Sequence, residues 1–203
     1  MKKLFSALLL TYAVALISCK EDVKSDIDAM TEISSDSIVI EVNKEVIQQS
    51  NDEKVRQSVM TKIMMTPELS NFSSHLVSAN LTNMLATEEG PFAIFAPTNE
   101  AFSKLLENKK KLLANPKNRG VLMNTLGQHI VFMPLSSDYI VQALRSKDTL
   151  KYNTMSGAMM QIVRKENVLY VIDQNGSAAT IGKSDIIGNN GTIHLIDKVL
   201  GMD

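Results

Sequence analysis

The sequence has little of three things that would narrow its function: cysteine, charge of one sign and long apolar runs. Its 203 residues contain one cysteine, Cys19, which excludes an intramolecular disulfide and a cysteine-rich metal site. Lys and Arg number 21 against 22 Asp and Glu, for a formal net charge of −1. Nucleic-acid binding needs a basic excess or a basic stripe, so no nucleic-acid partner is expected. The short run Lys109–Lys111 is interpreted as a solvated helix end.

What the sequence does contain is typical of one folded domain with a short extension. Hydrophobic residues make up 44% and charged residues 21%, a normal balance for a globular chain. Beyond the first twenty residues, no segment approaches the roughly 20 apolar residues that a transmembrane helix needs. Twelve methionines, including Met64-Met65 and Met159-Met160, are interpreted as core filling, with a Met-rich binding surface as the alternative.

The first nineteen residues have the pattern of an export signal. A basic start, Met1–Lys3, precedes an uncharged apolar run from Leu4 to Ala15. Such a run has the length of a signal-peptide core and is too short to span a bilayer. The following Leu16-Ile17-Ser18-Cys19 resembles the bacterial lipobox, which implies cleavage before Cys19 and attachment of acyl chains such as palmitate to it. The alternative is an ordinary secretory signal in which the cysteine occurs by chance.

Lipid attachment would anchor the mature chain to a membrane without spanning it, since more than one acyl chain gives stable residence. Lys20-Glu21-Asp22 resembles the signal that some Gram-negative bacteria use to place lipoproteins on the outer surface; a plain solvated tether is the alternative. The expected location is the outer membrane, with the domain exposed on the cell surface. The predicted organisation is a signal peptide at 1–18, the lipidated cysteine with a flexible polar spacer at 19–44, and a folded domain at 45–203.

Helical patterns dominate the first half of this domain. From Glu68 to Leu85, apolar residues recur at steps of three and four and form one amphipathic stripe. The turn residues Glu88–Pro91 then precede a short apolar strand at 92–96. Thr98 is placed to cap a following helix, and another helix is predicted over 118–127.

Strand patterns dominate the second half. An apolar stretch at 129–133 ends before Pro134. Residues 159–164 and 168–172 flank a three-residue turn, as the strands of a hairpin would. Residues 193–200 are predicted to form the last strand. Helices first and strands afterwards predict an α+β domain.

Two segments, residues 92–102 (FAIFAPTNEAF) and residues 190–200 (NGTIHLIDKVL), resemble the two signatures of fasciclin-like domains of the fasciclin I type. Their spacing is also that of the family, and the resemblance covers about residues 45–203. It implies a β-wedge of two sheets with a packed helical layer. The motif residues expected to have structural roles are Pro97, Thr98, Asn99, Asn190, Gly191, His194 and Asp197.

Between these signatures the family carries a Tyr-His pair before a hydrophobic run, in a region implicated in integrin binding by animal matrix proteins. The matching residues here are Gln128 and His129, followed by Ile130 and Val131. The histidine is present and the tyrosine is not, which weakens the transfer of a specific adhesion contact. These four residues are the candidate partner-binding site, with a structural role for His129 as the alternative.

The remaining chemistry-bearing residues do not form a catalytic or metal-binding motif. His75, His129 and His194 are far apart and lack H-x-x-x-H spacing. His194 is expected to make a structural hydrogen bond and His75 to lie on the surface. No nucleophile elbow, phosphate loop or dinucleotide fingerprint is present. We therefore expect no enzyme activity, no cofactor and no metal.

Three functions remain compatible with the sequence. The first is an adhesion module that binds an external protein or glycan partner by surface complementarity. The second is a non-catalytic accessory subunit of an outer-membrane assembly, for example one that handles glycans. The third is a small-ligand carrier, which no sequence feature favours. The expected partners are the membrane, through the lipid anchor, and an unidentified protein or polysaccharide.

Overall fold

The computed structural model describes residues 35–202, with the side chains of residues 44 and 46–202. The signal region, Cys19 and the first part of the predicted spacer lie outside the described residues. The chain divides into two units, Met1–Glu41 and Val42–Asp203. Helix α1 (Ser35–Arg56) begins within the predicted spacer, so residues 35–44 are helical rather than irregular. Among the described residues, no helix combines the length and the apolar character needed to cross a membrane.

Short helices make up most of the first half of the second unit. Two 3-10 turns, Pro67–Leu69 and Pro116–Asn118, lead into the third and seventh helices, and each begins with a proline. Proline is tolerated there because its missing N–H would have no partner in the first turn. The helices are α2 (Val59–Met64), α3 (Ser70–Ser78), α4 (Thr82–Thr87), α5 (Asn99–Ser103), α6 (Glu107–Ala114), α7 (Arg119–Gly127) and α8 (Ser137–Ala143).

The amphipathic stripe predicted over Glu68–Leu85 is divided between α3 and α4. Asn80, which follows α3, adopts a positive φ of 60°. Its N–H donates to the Val77 carbonyl and the Leu81 N–H donates to the Leu76 carbonyl, both at 3.0 Å. This pair of hydrogen bonds closes α3 and redirects the chain. The periodicity therefore predicts the buried face correctly and misses the turn within it.

The central sheet has four strands in the order β2-β1-β8-β7. Strands β1 (Phe92–Pro97) and β8 (Gly191–Ile196) run parallel through the middle, in register from Phe92 opposite Gly191 to Pro97 opposite Ile196. Strands β2 (Ile130–Val131) and β7 (Ile186–Gly188) pair antiparallel at the two edges. The two family motifs, distant in sequence, are thus hydrogen-bonded neighbours.

The second sheet is an antiparallel meander of four strands in chain order. The predicted hairpin is confirmed, because Lys165 pairs with Val168 across a tight turn. A bridge between Ile181 and Ile196 joins the end of this sheet to β8. The strands are β3 (Thr149–Asn153), β4 (Met159–Lys165), β5 (Val168–Ile172) and β6 (Ala178–Thr180).

Several boundaries differ from the sequence-based expectations. Within the apolar stretch at 129–133, only Ile130 and Val131 form a strand, and the strand predicted at 193–200 ends at Ile196. The second difference has a local cause: the Asp197 N–H donates to the Thr180 carbonyl at 3.3 Å, which turns the chain out of β8. Several short elements have no counterpart among the predictions, including β3, β6, β7 and α8.

Strand β1 is buried on both faces, which explains its uninterrupted apolar sequence. Phe92 and Ile94 face a core formed mainly by helices α2 to α7. Ala93 and Phe95 face a second core formed with β3, β4, β5 and α8. The domain thus has a helical layer, a central sheet and a second sheet, and the α+β prediction is confirmed.

The methionines do not all fill the core. Met60 and Met160 are buried, but Met64, Met65 and Met159 are exposed. Core filling is therefore wrong for the first predicted pair and correct for only one residue of the second. The exposed members follow from position: two of them lie at the end of α2, where the buried face of that short helix has ended.

Candidate functional site

The first family motif ends β1 in a capped helix. Thr98 Oγ1 accepts a backbone N–H from the first turn of α5 at 3.2 Å. The Asn99 side chain connects this helix to α3, because its Oδ1 accepts the Asn71 N–H and its Nδ2 donates to the Pro67 carbonyl, both at 2.9 Å. Pro97, the last residue of β1, is buried. Pro97, Thr98 and Asn99 therefore act within the chain, where they hold β1, α3 and α5 together.

The second family motif begins with a side chain that joins three segments. Asn190 Oδ1 accepts the Val59 N–H at 2.9 Å, at the start of α2. Asn190 Nδ2 donates to the Leu85 carbonyl at 3.0 Å and to the Glu88 carbonyl at 2.8 Å, at the end of α4. Gly191 follows, and a Cβ at this position would overlap the carbonyl oxygen of its β1 partner. Glycine is required there because the two backbones approach so closely.

His194 and Asp197 complete the second motif. His194 Nε2–H donates to the Leu135 carbonyl at 2.6 Å, and its ring stacks on Phe95 with 5.3 Å between centroids. Burial lowers the pKa of His194, and its Nδ1 has no partner among the described residues, which fits a neutral ring. Asp197 Oδ1 accepts the Thr180 N–H at 2.7 Å and fastens the second sheet to β8.

His129, directly before β2, is buried and holds the C-terminal turn in place. Its Nε2 accepts the Leu200 N–H at 3.0 Å, so the proton of the neutral ring is on Nδ1, which donates to the Thr125 carbonyl at 2.8 Å. Burial lowers the pKa of His129 to about 4, against the smaller opposing effects of the Thr125 hydrogen bond and the Asp173 charge. The ring is therefore neutral at pH 7, and these contacts are those of a structural histidine.

All four candidate partner-binding residues are buried, which corrects that prediction. Gln128, His129, Ile130 and Val131 are each at most 5% exposed. Ile130 packs in the helical core and Val131 in the core against the second sheet. Although β2 is an edge strand, it is covered, because the Met155 N–H donates to the Ile130 carbonyl at 2.8 Å. A partner cannot reach these side chains in the folded chain.

The chain reaches the surface immediately after these residues. Phe132 is 50% exposed and Met133 39%, and Pro134 is also exposed. The Phe132 ring stays against the buried Phe92 ring, with 5.6 Å between centroids, so its orientation is supported from beneath. We call Phe132–Pro134 the Phe132 surface. The apolar stretch 129–133 did not distinguish the buried strand residues from the exposed Phe132 and Met133; Pro134, which interrupts strand pairing, was the signal that the strand ends early.

The histidines occupy three separate places. Within the part of the chain that the structure describes, no three His, Cys, Asp or Glu side chains come together as a metal site. The absence of metal, cofactor and catalytic activity stays a prediction. His75, expected on the surface, is half-buried, with its ring 5.0 Å from that of Phe102.

The sequence matches the family model of the Fasciclin domain over residues 67–202. The chain therefore belongs to the fasciclin domain family. The matched range lies within the predicted domain at 45–203 and contains both motifs and both sheets. Fasciclin domains act as cell adhesion and binding modules.

Relatives of this chain occur in animals and bacteria. Human periostin is 29% identical over 153 residues, which cover 72% of this chain and 16% of periostin. Protein sll1483 of Synechocystis sp. is 26% identical over 145 residues, which cover 70% of this chain and 74% of that protein. A solved FAS1 domain pair from the insect cell adhesion molecule Fasciclin I is 25% identical, covers 70% of this chain and 44% of that chain, and has a TM-score of 0.47. The chain spans less than a fifth of periostin, so that similarity concerns one domain.

Proposed function

We propose that this chain is a lipid-anchored envelope protein whose fasciclin domain is a non-catalytic adhesion module that binds a protein partner through the Phe132 surface. The observation that carries the proposal is the exposure of Phe132 and Met133 directly beside the buried segment Gln128–Val131. Family membership supports the adhesive role, since fasciclin domains are binding modules.

The Phe132 surface has the properties of a protein-contact anchor. Large aromatic side chains on a rigid support dominate the binding energy of protein interfaces, because little side-chain freedom remains to be lost on association. Phe132 has such a support in the Phe92 ring and in the hydrogen-bonded β2 that precedes it. Gln128–Val131 then serve as the buried base of the site instead of its contact face.

The membrane anchor is proposed from the sequence around Cys19, which lies outside the described residues. Acylation of Cys19 would hold the domain at the outer membrane, and Lys20-Glu21-Asp22 supports exposure on the cell surface. Protease added to intact cells should cleave the domain. Replacing Cys19 with Ser should release the chain from the membrane fraction, because the thiol that accepts the lipid is lost. Retention of the Cys19→Ser chain in that fraction would contradict the anchor.

The binding proposal is tested by presenting the full chain to an array of matrix proteins and glycans. We expect a specific protein to be retained, and Phe132→Ser to weaken its binding by about tenfold or more, as the loss of an aromatic anchor does. Leu106→Ser is the matched control, because Leu106 is an apolar side chain with 68% exposure at the start of α6. It should bind like the unmodified chain.

Two results would overturn the assignment. Equal weakening by Phe132→Ser and Leu106→Ser would show that general apolar adhesion, not the Phe132 surface, holds the partner. No array hit, together with full protection from added protease, would contradict adhesion to an external partner. That outcome would favour the accessory subunit of an outer-membrane assembly, with its partner sought among the cell's own envelope proteins.

A further inference from the structure

A groove between α3 and α7 shares no residue with the Phe132 surface. Its α3 wall carries Ser74, His75 and Ser78, and its α7 wall carries Arg119 and Leu122. The segment connecting α6 to α7 closes one side. The groove encloses about 470 Å³, which is within the range of small-molecule sites. It is therefore large enough for a ligand of a few to a few tens of atoms.

His75 lies in this groove without a hydrogen-bond partner. Its ring packs on Phe102 at 5.0 Å between centroids, and burial lowers its pKa, so the ring is neutral at pH 7. Neither ring nitrogen bonds to any residue in the part of the chain that the structure describes. A neutral imidazole offers one N–H donor and one acceptor nitrogen. Both are available to a bound molecule.

The two serines of the α3 wall present acceptors. Ser74 Oγ donates its proton to the Ser70 carbonyl, and Ser78 Oγ donates to the Ser74 carbonyl, both at 2.9 Å. Because each hydroxyl has used its only proton within the helix, its remaining lone pairs can only accept. Groups that donate to such acceptors are hydroxyls or N–H groups of a ligand.

The charge in the groove is cationic. Arg119 is exposed, and one of its N–H groups donates to the Ala79 carbonyl at a long 3.4 Å, so most of its five donors stay available. An adjoining hollow shares His75 and contains Lys110, which is paired with Glu107 at 2.9 Å. Among the described residues that line the two hollows, there is no Asp or Glu. A guanidinium in this setting suits a planar carboxylate, which it binds through two parallel hydrogen bonds.

From these observations we propose that the groove between α3 and α7 binds the uronate unit of an acidic polysaccharide. Arg119 takes the carboxylate, the serine oxygens accept from ring hydroxyls, and His75 donates to or accepts from a further hydroxyl. Leu113 and Leu122 also line the groove, but both are buried, so they support its walls and the polar side chains make the contacts. This site is independent of the proposed Phe132 surface, because no residue belongs to both.

The test is an NMR titration of the full chain with sodium glucuronate, followed through the imidazole signals of its three histidines. Glucose is the neutral control, since it has the same ring without the carboxylate. We expect glucuronate to shift the His75 signals while those of the buried His129 and His194 stay unchanged. Glucose should shift the His75 signals only at concentrations at least about tenfold higher, because glucose cannot form the charge-assisted hydrogen bonds to Arg119.

Variants then assign the carboxylate contact. Arg119→Gln should weaken glucuronate binding by about tenfold or more, and Arg119→Lys should be intermediate, because it keeps the charge without the paired donors. Arg145→Gln removes the same charge from an exposed arginine outside the groove and should leave binding unchanged. Unchanged His129 and His194 signals show that each variant is folded.

Three results would each overturn the proposal: equal binding of glucose and glucuronate, equal effects of the two Gln variants, or no shift of the His75 signals up to the solubility limit. Loss of protein binding in Phe132→Ser with normal glucuronate binding would separate the two sites.

Discussion

The two family motifs form the interior of the domain, whereas the two candidate binding surfaces face the solvent. The motif strands β1 and β8 lie at the centre of the domain, with helices on one face and a second sheet on the other. The polar side chains of the motifs bond to backbone groups of the same chain: Asn99 to the start of α3, Asn190 to α2 and α4, and Asp197 to the second sheet. The motifs therefore identify the fold because they carry the contacts that hold it together.

The Phe132 surface and the groove at His75 differ in each of these respects. Phe132 exposes half of its surface although it directly follows the buried β2. The imidazole of His75 and most donors of Arg119 are not used by described residues of the chain. Neither surface falls within a motif. A partner can therefore form favourable contacts with polar groups that lack a hydrogen bond within the chain and with exposed apolar side chains, and not with the motif residues.

The largest expected effect is the loss of the close contact between β1 and β8. Gly191→Ala places a methyl group against the Phe92 backbone, which cannot move away as a flexible side chain could. We expect urea denaturation to show a destabilisation of about 4 kcal/mol, above the usual overpacking penalty of about 1–3 kcal/mol because backbone atoms stand in the way. Gly120→Ala, on the exposed side of α7 with no atom near the new methyl, should be neutral or stabilise by about 0.5 kcal/mol. Similar free energies of unfolding for the two variants would contradict the claim that the motif glycine is required for packing while the surface glycine is not.

Acidification should act on His129, the buried histidine directly before β2. The pKa of His129 is about 4 in the folded chain, against an ordinary value of 6.5. The unfolded chain therefore takes up the proton first as the pH falls, and stability is lost between about pH 6.5 and pH 4. At about 1.4 kcal/mol per pH unit, the loss approaches 3 kcal/mol at pH 4. Burial lowers the pKa of His75 and His194 as well, which adds in the same direction.

Denaturation curves between pH 7 and pH 4.5, together with NMR of the imidazole rings, measure this effect. His129 should remain unprotonated in the folded chain down to pH 5. A His129 signal that titrates near pH 6.5 while the domain stays folded would contradict the burial of this ring.

The smallest of the three effects separates two neighbouring asparagines. Asn190→Ala removes three hydrogen bonds and leaves the buried Val59 N–H without a partner, so we expect a loss of about 2 kcal/mol. Asn189 is exposed, and its side chain donates one hydrogen bond, to the Lys54 carbonyl at 2.8 Å. Asn189→Ala should cost less than about 1 kcal/mol. Chemical denaturation of the two variants makes the comparison, and a larger loss for Asn189→Ala would reverse it.

The sequence-based predictions succeeded where local pattern and long-range structure agree. The continuous apolar run at 92–96, the Thr98 cap and the hairpin between β4 and β5 each depend on neighbouring residues, and the structure contains all three. They failed where one residue changes the course of the chain. Asn80 divides a continuous apolar stripe into two helices, and the strand predicted over 193–200 ends at Ile196, where Asp197 turns the chain. Periodicity reports which positions are buried and says little about where the chain turns.

By itself, the sequence determined the α+β class, because apolar periodicity and turn residues are local properties. The resemblance of two short motifs to those of fasciclin-like domains indicated the family, which the family model over residues 67–202 shows. Only the tertiary structure decided which side chains a partner can touch. Exposure depends on what packs over a residue from distant parts of the chain: residues of α7, β2 and the C-terminal turn together bury His129, whereas Phe132, three positions further on, remains open. The groove at His75 likewise exists only because α3 and α7, forty residues apart, lie side by side.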